Sequence, residues 1–467
     1  MTHDQKVARV AAAVRARAQA GRGDFASIGK AATSHFVPNP HDPRHKDEKI
    51  DIRDMNEILT IDVAGRTCTA EAGVTFSDLV RATLQHGLAP MLVPELETIT
   101  IGGAVSGCSV ESMSHKYGGF HDSCVAYEIV TGTGRVLRCS REENAAIFGM
   151  IHGSYGTLGI LTKLEFKLVP AKPFVRMEYR HFTTFAAFRA EMLARCAARD
   201  FDFIDGIVHA RDHFVLCLGR FTESAGRPSR YTFLDIYFES TRTKREDTLT
   251  TYDYFFRYDT DCHWITKTLP GMTTRLGRLL AGKLLLGSTK LLGWSKRLRP
   301  ILKYRKRPPV VVDLFIPQRR FGDFFAWYEG AIDYYPLWIV PYRVPEPYPW
   351  IAPEHQARMN DDLFIDCAIY GMSNDTPGVD LNQVLEDRTF ELDGIKTLIS
   401  ENHYDRDRFW SIYNRAAYDR VKQRTDPKNL FRGLYEKFHF RGQPRDIKDT
   451  CPPDRAGTSV HSGAWSG

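Results

Sequence analysis

The stretch TITIGGAVSGCSVESMSHKYGG, residues 98–119, is the part of this sequence that says most about its fold. Its glycines lie among small and hydroxyl side chains, at Gly102, Gly103, Gly107, Gly118 and Gly119. A glycine-rich backbone can approach a ligand closely, and successive exposed N–H groups form a concavity that binds an anion. Because the stretch contains no GxGxxG motif, it predicts a backbone cradle that differs from the Rossmann turn.

Two further glycine-containing turns lie on either side of this stretch, at residues 29–34 and 153–160. Three such cradles in one part of the chain suit a long ligand that carries a pyrophosphate. The first turn, GKAATS, does not supply the fingerprint that a Rossmann fold needs after its first strand. For each loop taken singly, the alternative is a turn that only connects two strands.

The pattern of residues 1–172 predicts an α+β domain. It opens with an amphipathic helix, MTHDQKVARVAAAVRARAQAG, which carries charges throughout and lacks the apolar centre of a signal peptide. Alternating segments then predict a strand and a hairpin, a helix from Thr75, a second hairpin over residues 123–140, and a long strand that ends at Pro170. We expect loops, rather than helices, to carry the glycines.

The pattern changes after Pro173. Strand-like segments separated by helices and aromatic loops predict a second domain built on an antiparallel sheet; they include FDFIDGIVHARDHFVLCLGRF, PPVVVDLFIPQRRF, YPLWIVPYRV and DLFIDCAIYG. From Leu381 the pattern is mainly helical, and the tail rich in Pro, Gly, Ser and Asp is expected to be frayed. We therefore divide the chain into domains 1–172 and 173–380, a helical region 381–440 and a flexible tail 441–467.

Composition excludes several classes of protein. The 467 residues are enough for two or three domains with buried cores. The nine cysteines are an odd number at irregular spacings without a CxxC pair, which argues against a disulfide framework and against a zinc site. We expect no metal and a cytoplasmic location. No apolar run approaches the length of about 18 residues that would suggest a membrane span.

The positive charge of the chain is local. The net charge is +6, and residues 271–309 contain no Asp or Glu but eleven basic residues, at 275, 278, 283, 290, 296, 297, 299, 303, 305, 306 and 307. Leu, Ile and Trp are interleaved with these cations, a pattern typical of segments that bind an anionic membrane surface. A solvated face is the alternative. Nucleic acid is not expected, because no recognised binding motif accompanies the charge.

The order of turn, strand pair, GG loop, hairpin and GTLGI strand resembles the FAD-binding domain of the vanillyl-alcohol oxidase / p-cresol methylhydroxylase superfamily. Within it, the chain most resembles the delta-24-sterol reductase type, from about residue 3 to about residue 440. The segments that carry this resemblance include LVPELETITIGGAVSGCSVESMSHKYG, GTLGILTKLEFKLVPAK and HYDRDRFWSIYNRAAYDRVKQR. The resemblance implies a two-subdomain, non-Rossmann FAD-binding domain of the PCMH type over residues 1–172. It also implies a cap domain with an antiparallel sheet flanked by helices.

The resemblance also implies which residues hold FAD. The first pyrophosphate turn would be Gly29, Lys30, Ala31, Ala32, Thr33 and Ser34. The GG loop would contribute Ile101, Gly102, Gly103, Ser106, Gly107, Glu111 and Ser112, and the other side of the cofactor would be held by Gly156, Thr157, Gly159 and Ile160. The Gly-Gly-His pattern of many relatives is missing from the first turn, and His35 lies outside that pattern. We therefore expect FAD to be bound without a covalent link, with His35 as a surface or core residue.

The chemistry implied by the resemblance is the reduction of an isolated C=C bond. Flavin N5 can pass a hydride, and a general acid must supply the proton. The candidates are His115, Lys116, His263, Tyr404 and Tyr418. Each has a structural alternative: phosphate or solvent contact for His115 and Lys116, core packing for the tyrosines, and ordinary packing for His263 and its neighbour Trp264. For Glu128, a satisfied strand carboxylate is expected.

Three functions are weighed. The first is reduction of a lipid alkene, in a sterol side chain or a methylene-branched fatty acyl chain, with NADPH visiting the flavin through the substrate channel. The second is an FAD-dependent alcohol oxidase or dehydrogenase of the same superfamily. The third is a non-catalytic scaffold, with or without flavin, that acts at a membrane. The first predicts a cytoplasmic enzyme that is peripheral on the inner face of a membrane.

Overall fold

Within the part of the chain that the structure describes, the strands form a two-stranded, a six-stranded and an eight-stranded sheet. The computed structural model describes residues 1–20, 25–32, 39, 42–224, 226–269, 271–288, 290 and 308–440. Helices pack on and between the sheets, so the α+β class predicted from the sequence is confirmed.

The first two sheets lie in the first 170 residues. Strands β1 (Ala26–Gly29) and β2 (Glu48–Asp51) pair in parallel. The six-stranded sheet consists of β3 (Ile58–Asp62), β4 (Thr67–Glu71), β5 (Leu88–Pro90), β6 (Cys124–Val130), β7 (Val136–Ser140) and β8 (Ile160–Pro170). Its order is β3-β4-β8-β6-β7, with β5 beside β8, and all of its pairs are antiparallel. Both predicted hairpins and the strand that ends at Pro170 are therefore present.

Five α-helices accompany these strands: His3–Ala20, Phe76–Leu84, Ile101–Ser106, Ser114–Tyr117 and Ala145–Ile151. The second begins where it was expected, because the Thr75 side chain caps it by accepting a hydrogen bond from the Asp78 N–H. The expectation that only loops carry the glycines was wrong. Gly102 and Gly103 lie in the first turn of the helix Ile101–Ser106, whose N-cap is Thr100.

The eight-stranded sheet is antiparallel and belongs to the second half of the chain. Its strands are β9 (Phe174–Phe182), β10 (Phe203–Ala210), β11 (His213–Thr222), β12 (Glu246–Thr250), β13 (Val310–Pro317), β14 (Leu337–Arg343), β15 (Leu363–Met372) and β16 (Ile395–Lys396). The order is β12-β9-β11-β10-β14-β15-β13-β16. Strand β16 lies within the region that was expected to be mainly helical. The domain boundaries stay a prediction.

The helices of this half are short or flank the sheet. They are Phe185–Ala198, Tyr237–Ser240, Thr251–Phe255, Ile265–Thr268, Arg275–Gly277, Lys283–Leu285, Phe321–Ala331, Pro353–Met359, Leu381–Glu391, Arg406–Ile412, Arg415–Thr425 and Leu434–Phe438. Within the described residues, no helix is both long and apolar enough to cross a membrane.

The two faces of the eight-stranded sheet bury different partners, since side chains alternate along each strand. One set, including Leu314, Ile339 and Ile365, packs with the helices Phe185–Ala198, Phe321–Ala331 and Leu381–Glu391. The other set, including Trp338 and Tyr370, joins the core of the first domain. We call this second set the inner face of the cap.

Candidate functional site

The two glycine loops meet in space. The Tyr155 N–H donates a hydrogen bond to the Ser106 carbonyl at 3.1 Å, and a Cβ on Gly107 would lie 3.6 Å from the Tyr155 ring. Gly102 is needed for packing, because a Cβ there would lie 2.8 Å from the Cβ of Ala72 on the neighbouring chain segment. Gly103 is exposed in the same helix, and a Cβ there would lie 3.1 Å from Thr100 Oγ1.

Lys30 lies beside Gly103. A Cβ on Gly103 would be 3.8 Å from Lys30 Nζ. Burial lowers the pKa of Lys30 to about 8, and none of the described residues forms a hydrogen bond or an ion pair with its ammonium group. A half-buried cation that no described residue neutralises, next to Gly102 and Gly103 at the start of a helix, fits the pyrophosphate of FAD.

A second cation, Lys437, lies at the other glycine loop. Its Nζ donates a hydrogen bond to the Tyr155 carbonyl at 2.5 Å, and burial, with repulsion from Arg44, lowers its pKa to about 7. The following residue, Gly156, has φ +75°, and a Cβ there would have no atom within 4 Å. The loop therefore offers positive charge and uncovered backbone towards an open space.

The remaining residues of the predicted cofactor set take supporting positions. Ile101 is fully buried, and the Ser106 hydroxyl donates to the Gly102 carbonyl. The buried Thr157 offers its carbonyl to Lys422 Nζ at 2.8 Å. Gly159 and Ile160 enter β8 against Val130. Ala31 and Ala32 follow Lys30 in a bend, whereas Thr33, Ser34 and His35 lie outside the described residues.

Glu111, Ser112, His115 and Lys116 lie at the seam between the first domain and β10. The Ser112 carbonyl accepts from the Ile204 N–H at 2.8 Å, and the Lys116 ammonium lies 3.0 Å from Asp202. The buried His115 ring places one nitrogen 3.0 Å from the Ser112 carbonyl and the other 3.2 Å from the Phe201 carbonyl. Both ring nitrogens are thus engaged by backbone, which favours a structural role for His115.

An ion pair closes this seam. Arg257 lies 2.7 Å from Glu111 and 3.3 Å from Asp205, and all three side chains are buried. Tyr258 and Trp338 each donate a hydrogen bond of 2.9 Å to the other oxygen of Asp205. Burial raises the pKa of Glu111, and the Arg257 charge opposes that rise. The network fixes the cap against the first domain.

Further along the inner face lies a group of acidic side chains that the sequence analysis did not single out. Asp313 on β13 accepts hydrogen bonds from Tyr370 and Thr397, and Asp366 lies on the paired strand β15. Glu95 lies in the loop between β5 and the glycine helix. Burial raises its pKa, and repulsion from the Asp313 carboxylate adds to that rise. We call Glu95, Asp313, Asp366 and Tyr370 the acidic cluster. In the sequence, Asp313 and Asp366 are recognisable only as single charged residues in otherwise apolar strands.

His263, one of the predicted acids, reaches the acidic cluster. Its ring centre lies 4.7 Å from that of Tyr370, and burial lowers the pKa of His263 to about 4. His263 and Trp264 both have left-handed backbone, with φ of 52° and 56°. Such a conformation costs about 1–2 kcal/mol per residue, and it occurs often at functional sites.

Tyr404, Tyr418 and Glu128 lie away from this cluster. The Tyr404 hydroxyl donates to the Glu386 carbonyl at 2.6 Å, and the Tyr418 hydroxyl accepts from the Leu434 N–H at 3.0 Å. Glu128 on β6 is held by Thr162, at 2.7 Å, and by His3, at 2.8 Å. These partners favour core packing for the two tyrosines and a satisfied strand carboxylate for Glu128.

A link joins the cofactor loops to the acidic cluster. The Leu398 N–H donates to the Tyr155 hydroxyl at 2.9 Å, and the adjacent Thr397 hydroxyl donates to Asp313 at 3.2 Å. The segment 396–398 therefore touches the second glycine loop and the inner face of the cap at once. This places the acidic cluster next to the predicted cofactor site.

Comparison with known proteins agrees with this arrangement. Residues 6–140 match the family described as FAD binding domain. The chain is 24% identical over 456 residues to the Delta(24)-sterol reductase of Homo sapiens, covering 93% of this chain and 86% of the human protein. Against the Arabidopsis thaliana Delta(24)-sterol reductase, the identity is 24% over 473 residues, with 93% and 84% covered. Cytokinin dehydrogenase 5 of Arabidopsis thaliana is 30% identical over 139 residues, 29% of this chain and 26% of that protein.

The chain is an FAD-dependent oxidoreductase. Its FAD-binding domain and the antiparallel sheets fit the two-subdomain PCMH-type fold that the resemblance implied. The residues present also fit the cofactor, since Lys30, Gly103 and Lys437 supply charge and bare backbone where a pyrophosphate is expected.

Proposed function

We propose that this oxidoreductase reduces an isolated carbon–carbon double bond in a lipid, with NADPH as donor and with FAD held non-covalently. The observation that carries the proposal is the similarity to proteins named Delta(24)-sterol reductase, over 93% of this chain. A sterol side chain is the first substrate class to test, and a methylene-branched fatty acyl chain is the second.

In this proposal the first domain binds the cofactor. Lys30, beside the exposed Gly103, binds the pyrophosphate, and Lys437 adds a second positive charge at the other loop. When bound, FAD would supply the chemistry of hydride transfer from a nicotinamide to the substrate carbon. The Glu111–Arg257–Asp205 network holds the cap at a fixed distance from the cofactor domain.

The cap encloses the substrate and excludes water. Its inner face presents the apolar and aromatic side chains of Val340, Tyr342 and Ala368 beside the acidic cluster, and all three are buried. An alkene gains from transfer out of water into such surroundings, because apolar surface is removed from solvent. The acidic cluster is then the polar part of an otherwise apolar inner face.

Product analysis tests this proposal. The purified protein is incubated with NADPH and a sterol that carries one side-chain double bond, and the extracted lipid is examined by mass spectrometry. The expected product has gained two hydrogen atoms, and a sterol with a saturated side chain is the matched control. A lipid recovered unchanged, for sterols and methylene-branched acyl chains alike, would contradict the proposal.

We further propose that residues 271–309 bind an anionic membrane surface. The described part of the segment adds an observation to the charge pattern, since its large exposed apolar side chains are all leucines. They are Leu276, Leu279, Leu280 and Leu284, and they are 60–79% exposed. Their spacing of three, four and eight residues places them on one side of the helical turns 275–285. Such a face suits a peripheral enzyme that takes lipid directly from the cytoplasmic leaflet.

A further inference from the structure

A chain of hydrogen bonds crosses from the cap to the glycine stretch, residues 98–119. Tyr342 on β14 belongs to the inner face of the cap, where its ring centre lies 5.7 Å from that of Phe315. Its hydroxyl is hydrogen-bonded to the Tyr348 hydroxyl, and the Tyr348 hydroxyl donates to Asp122 at 2.8 Å. The N–H of Gly119, the last residue of the glycine stretch, donates to the same Asp122 oxygen at 2.7 Å. Side chains thus connect the inner face with the stretch that is predicted to bind the cofactor.

Two buried histidines, which we call the histidine pair, continue from Asp122. His121 Nε2 lies 3.5 Å from Asp122, and the ring centres of His121 and His152 are 4.9 Å apart. Both nitrogens of His121, and Nδ1 of His152, form no hydrogen bond with a described residue, although the two residues are only 1% and 7% exposed. A buried polar group without a partner costs about 1–3 kcal/mol. These nitrogens therefore do not stabilise the fold and are free to take part in proton transfer.

The histidine pair borders a cavity beside the second glycine loop. His152 and Gly153 line this cavity together with Trp350 and Trp410. A Cβ on Gly153 would lie 3.6 Å from the Trp350 ring, which stacks on Tyr348 with ring centres 5.3 Å apart. Both tryptophans are half-buried, so the cavity lies close to the surface of the protein. One end of the histidine pair is therefore near solvent, and the other end is near Asp122.

We propose that Tyr342 donates the proton of the reduction and that Tyr348, Asp122 and the histidine pair resupply it. This inference rests on the proposed function. A hydride, which a nicotinamide supplies through the flavin, forms a C–H bond at one alkene carbon as the π bond breaks. The Tyr342 O–H bond breaks at the same time, and its proton forms the C–H bond at the other carbon. The Tyr342 phenolate takes the Tyr348 proton, Tyr348 takes the Asp122 proton, and Asp122 regains a proton from water through the histidine pair.

The protonation of Asp122 sets the direction of these hydrogen bonds. An ionised carboxylate only accepts, so Tyr348 then donates to Asp122 and accepts from Tyr342, whose proton is engaged. A protonated carboxyl group can donate to Tyr348, and Tyr348 can then donate to Tyr342. The Tyr342 proton is in that state left for the substrate. The chain therefore delivers a proton only while Asp122 carries one.

This requirement makes the alkene step depend on pH. Burial raises the pKa of Asp122 to about 7, and the hydrogen bonds from Tyr348 and the Gly119 N–H oppose the rise. The charges of Glu346 and Arg141 shift the pKa of Asp122 in opposite directions, and they pair with each other at 2.5 Å. Burial keeps the other titratable groups nearby neutral, namely His121, His152, Cys108, Cys124, Tyr127 and Tyr342. The rate should therefore fall as the pH rises through about 7.

The test compares Tyr342→Phe with Tyr328→Phe in the flavin-loaded protein. Each variant removes one phenol hydroxyl, but Tyr328 lies on the outer face of the cap and donates to the Tyr334 carbonyl at 2.6 Å. Tyr342→Phe should keep its flavin content and its reduction by NADPH, but reoxidation by the alkene should slow about 100-fold or more. Tyr328→Phe should match the parent in each measurement.

Two readouts separate proton delivery from a structural effect. The parent's alkene step should lose rate as the pH rises through about 7, and Tyr348→Phe, which interrupts the chain, should be slower and lack this limb. Infrared titration follows Asp122 without any substrate. The parent should show a carboxylic acid that ionises near pH 7, which is missing from Asp122→Asn and ionises at higher pH in Tyr348→Phe, because a hydrogen bond to the carboxylate is lost.

The outcomes distinguish the inference from the function on which it rests. The inference is overturned if Tyr342→Phe keeps the parent's rate, or if Tyr328→Phe slows the alkene step as much as Tyr342→Phe does. If Tyr342→Phe loses its flavin, the pH profile of Tyr348→Phe decides, and a limb like that of the parent overturns the inference. If the parent itself leaves the alkene unchanged, the proposed function fails instead.

Discussion

Lys30 is the residue on which the proposed position of the cofactor depends most. It is a half-buried cation whose pKa burial lowers to about 8, and no described residue neutralises it. Gly103, next to it, belongs to a helix and does not have the left-handed backbone that only glycine favours. Glycine is used here because any side chain would extend into the space in front of Lys30.

Gly103→Leu should therefore fold and yet fail to bind FAD. The leucine fits a helical backbone, but its side chain would occupy the space in front of Lys30 and separate a phosphate from the ammonium group. Losing this charge-assisted hydrogen bond, worth about 1.5–3 kcal/mol, weakens binding by about 10-fold or more. Flavin content of the purified protein measures the effect, and the flavin-free melting temperature checks the fold. Full occupancy in Gly103→Leu would place the loop away from the cofactor.

The sequence pattern predicts the cofactor loops but does not distinguish their glycines. Gly102 and Gly103 are adjacent and identical in the pattern, yet the first packs against Ala72 and the second faces Lys30. That difference depends on which strand lies behind the helix, and no local pattern encodes it. Glu95 was missed for a similar reason, since its partners Asp313 and Asp366 are more than 200 residues away.

At the scale of elements, the helix Leu381–Glu391 is fixed by a buried charge network. Its Glu386 accepts hydrogen bonds from Lys396 on β16 and from His403, and His403 also lies 3.2 Å from Asp380. Burial alone would lower the pKa of His403, but the hydrogen bonds to Asp380 and Glu386 raise it to about 9. The helix is thereby tied to β16, the edge strand that pairs with β13.

This network makes the stability of the fold depend on pH. Because the pKa of His403 is raised in the folded state, its contribution is complete below about pH 6.5 and is lost as the pH rises through about 9. Between pH 6 and pH 9.5, the free energy of unfolding of the parent, measured by denaturant titration, should fall by an amount on the order of 2 kcal/mol, and that of His403→Gln should not. His86→Gln, at an exposed histidine, is the control, and its free energy of unfolding should fall as in the parent. Equal losses in the parent and His403→Gln would exclude this role.

Most elements could be predicted from the sequence because their patterns are local. The cap of Thr75 and the alternation that ends at Pro170 mark a helix and a strand without reference to the rest of the chain. Strand β16 has only two residues, and β9 lies beside β11 and β12 through long-range pairing. Such strands exist because of their neighbours, so the pattern of their own residues did not indicate them.

At the scale of the molecule, the leucine face of residues 275–285 lies within the basic segment. Replacing Leu276, Leu279, Leu280 and Leu284 with Gln should reduce co-sedimentation with anionic vesicles by about 10-fold or more, because each buried leucine is worth about 1.5–3 kcal/mol. The control replaces two exposed valines elsewhere, Val63 and Val136, with Gln. Added salt should also weaken parent binding, since surface charges are screened over about 10 Å at 0.1 M. If the leucine variant sediments with the vesicles like the parent, the segment does not bind the membrane through this face and is only solvent-exposed.

The central claim, that the flavin of this protein delivers electrons to a lipid double bond, is tested most directly by reoxidation. The protein is reduced with NADPH without oxygen and then mixed in a stopped-flow instrument with the alkene lipid or with aerated buffer. The flavin absorbance should return faster with the lipid than with oxygen, in step with saturation of the lipid. Fast return with oxygen and none with the lipid would contradict it and would indicate an oxidase.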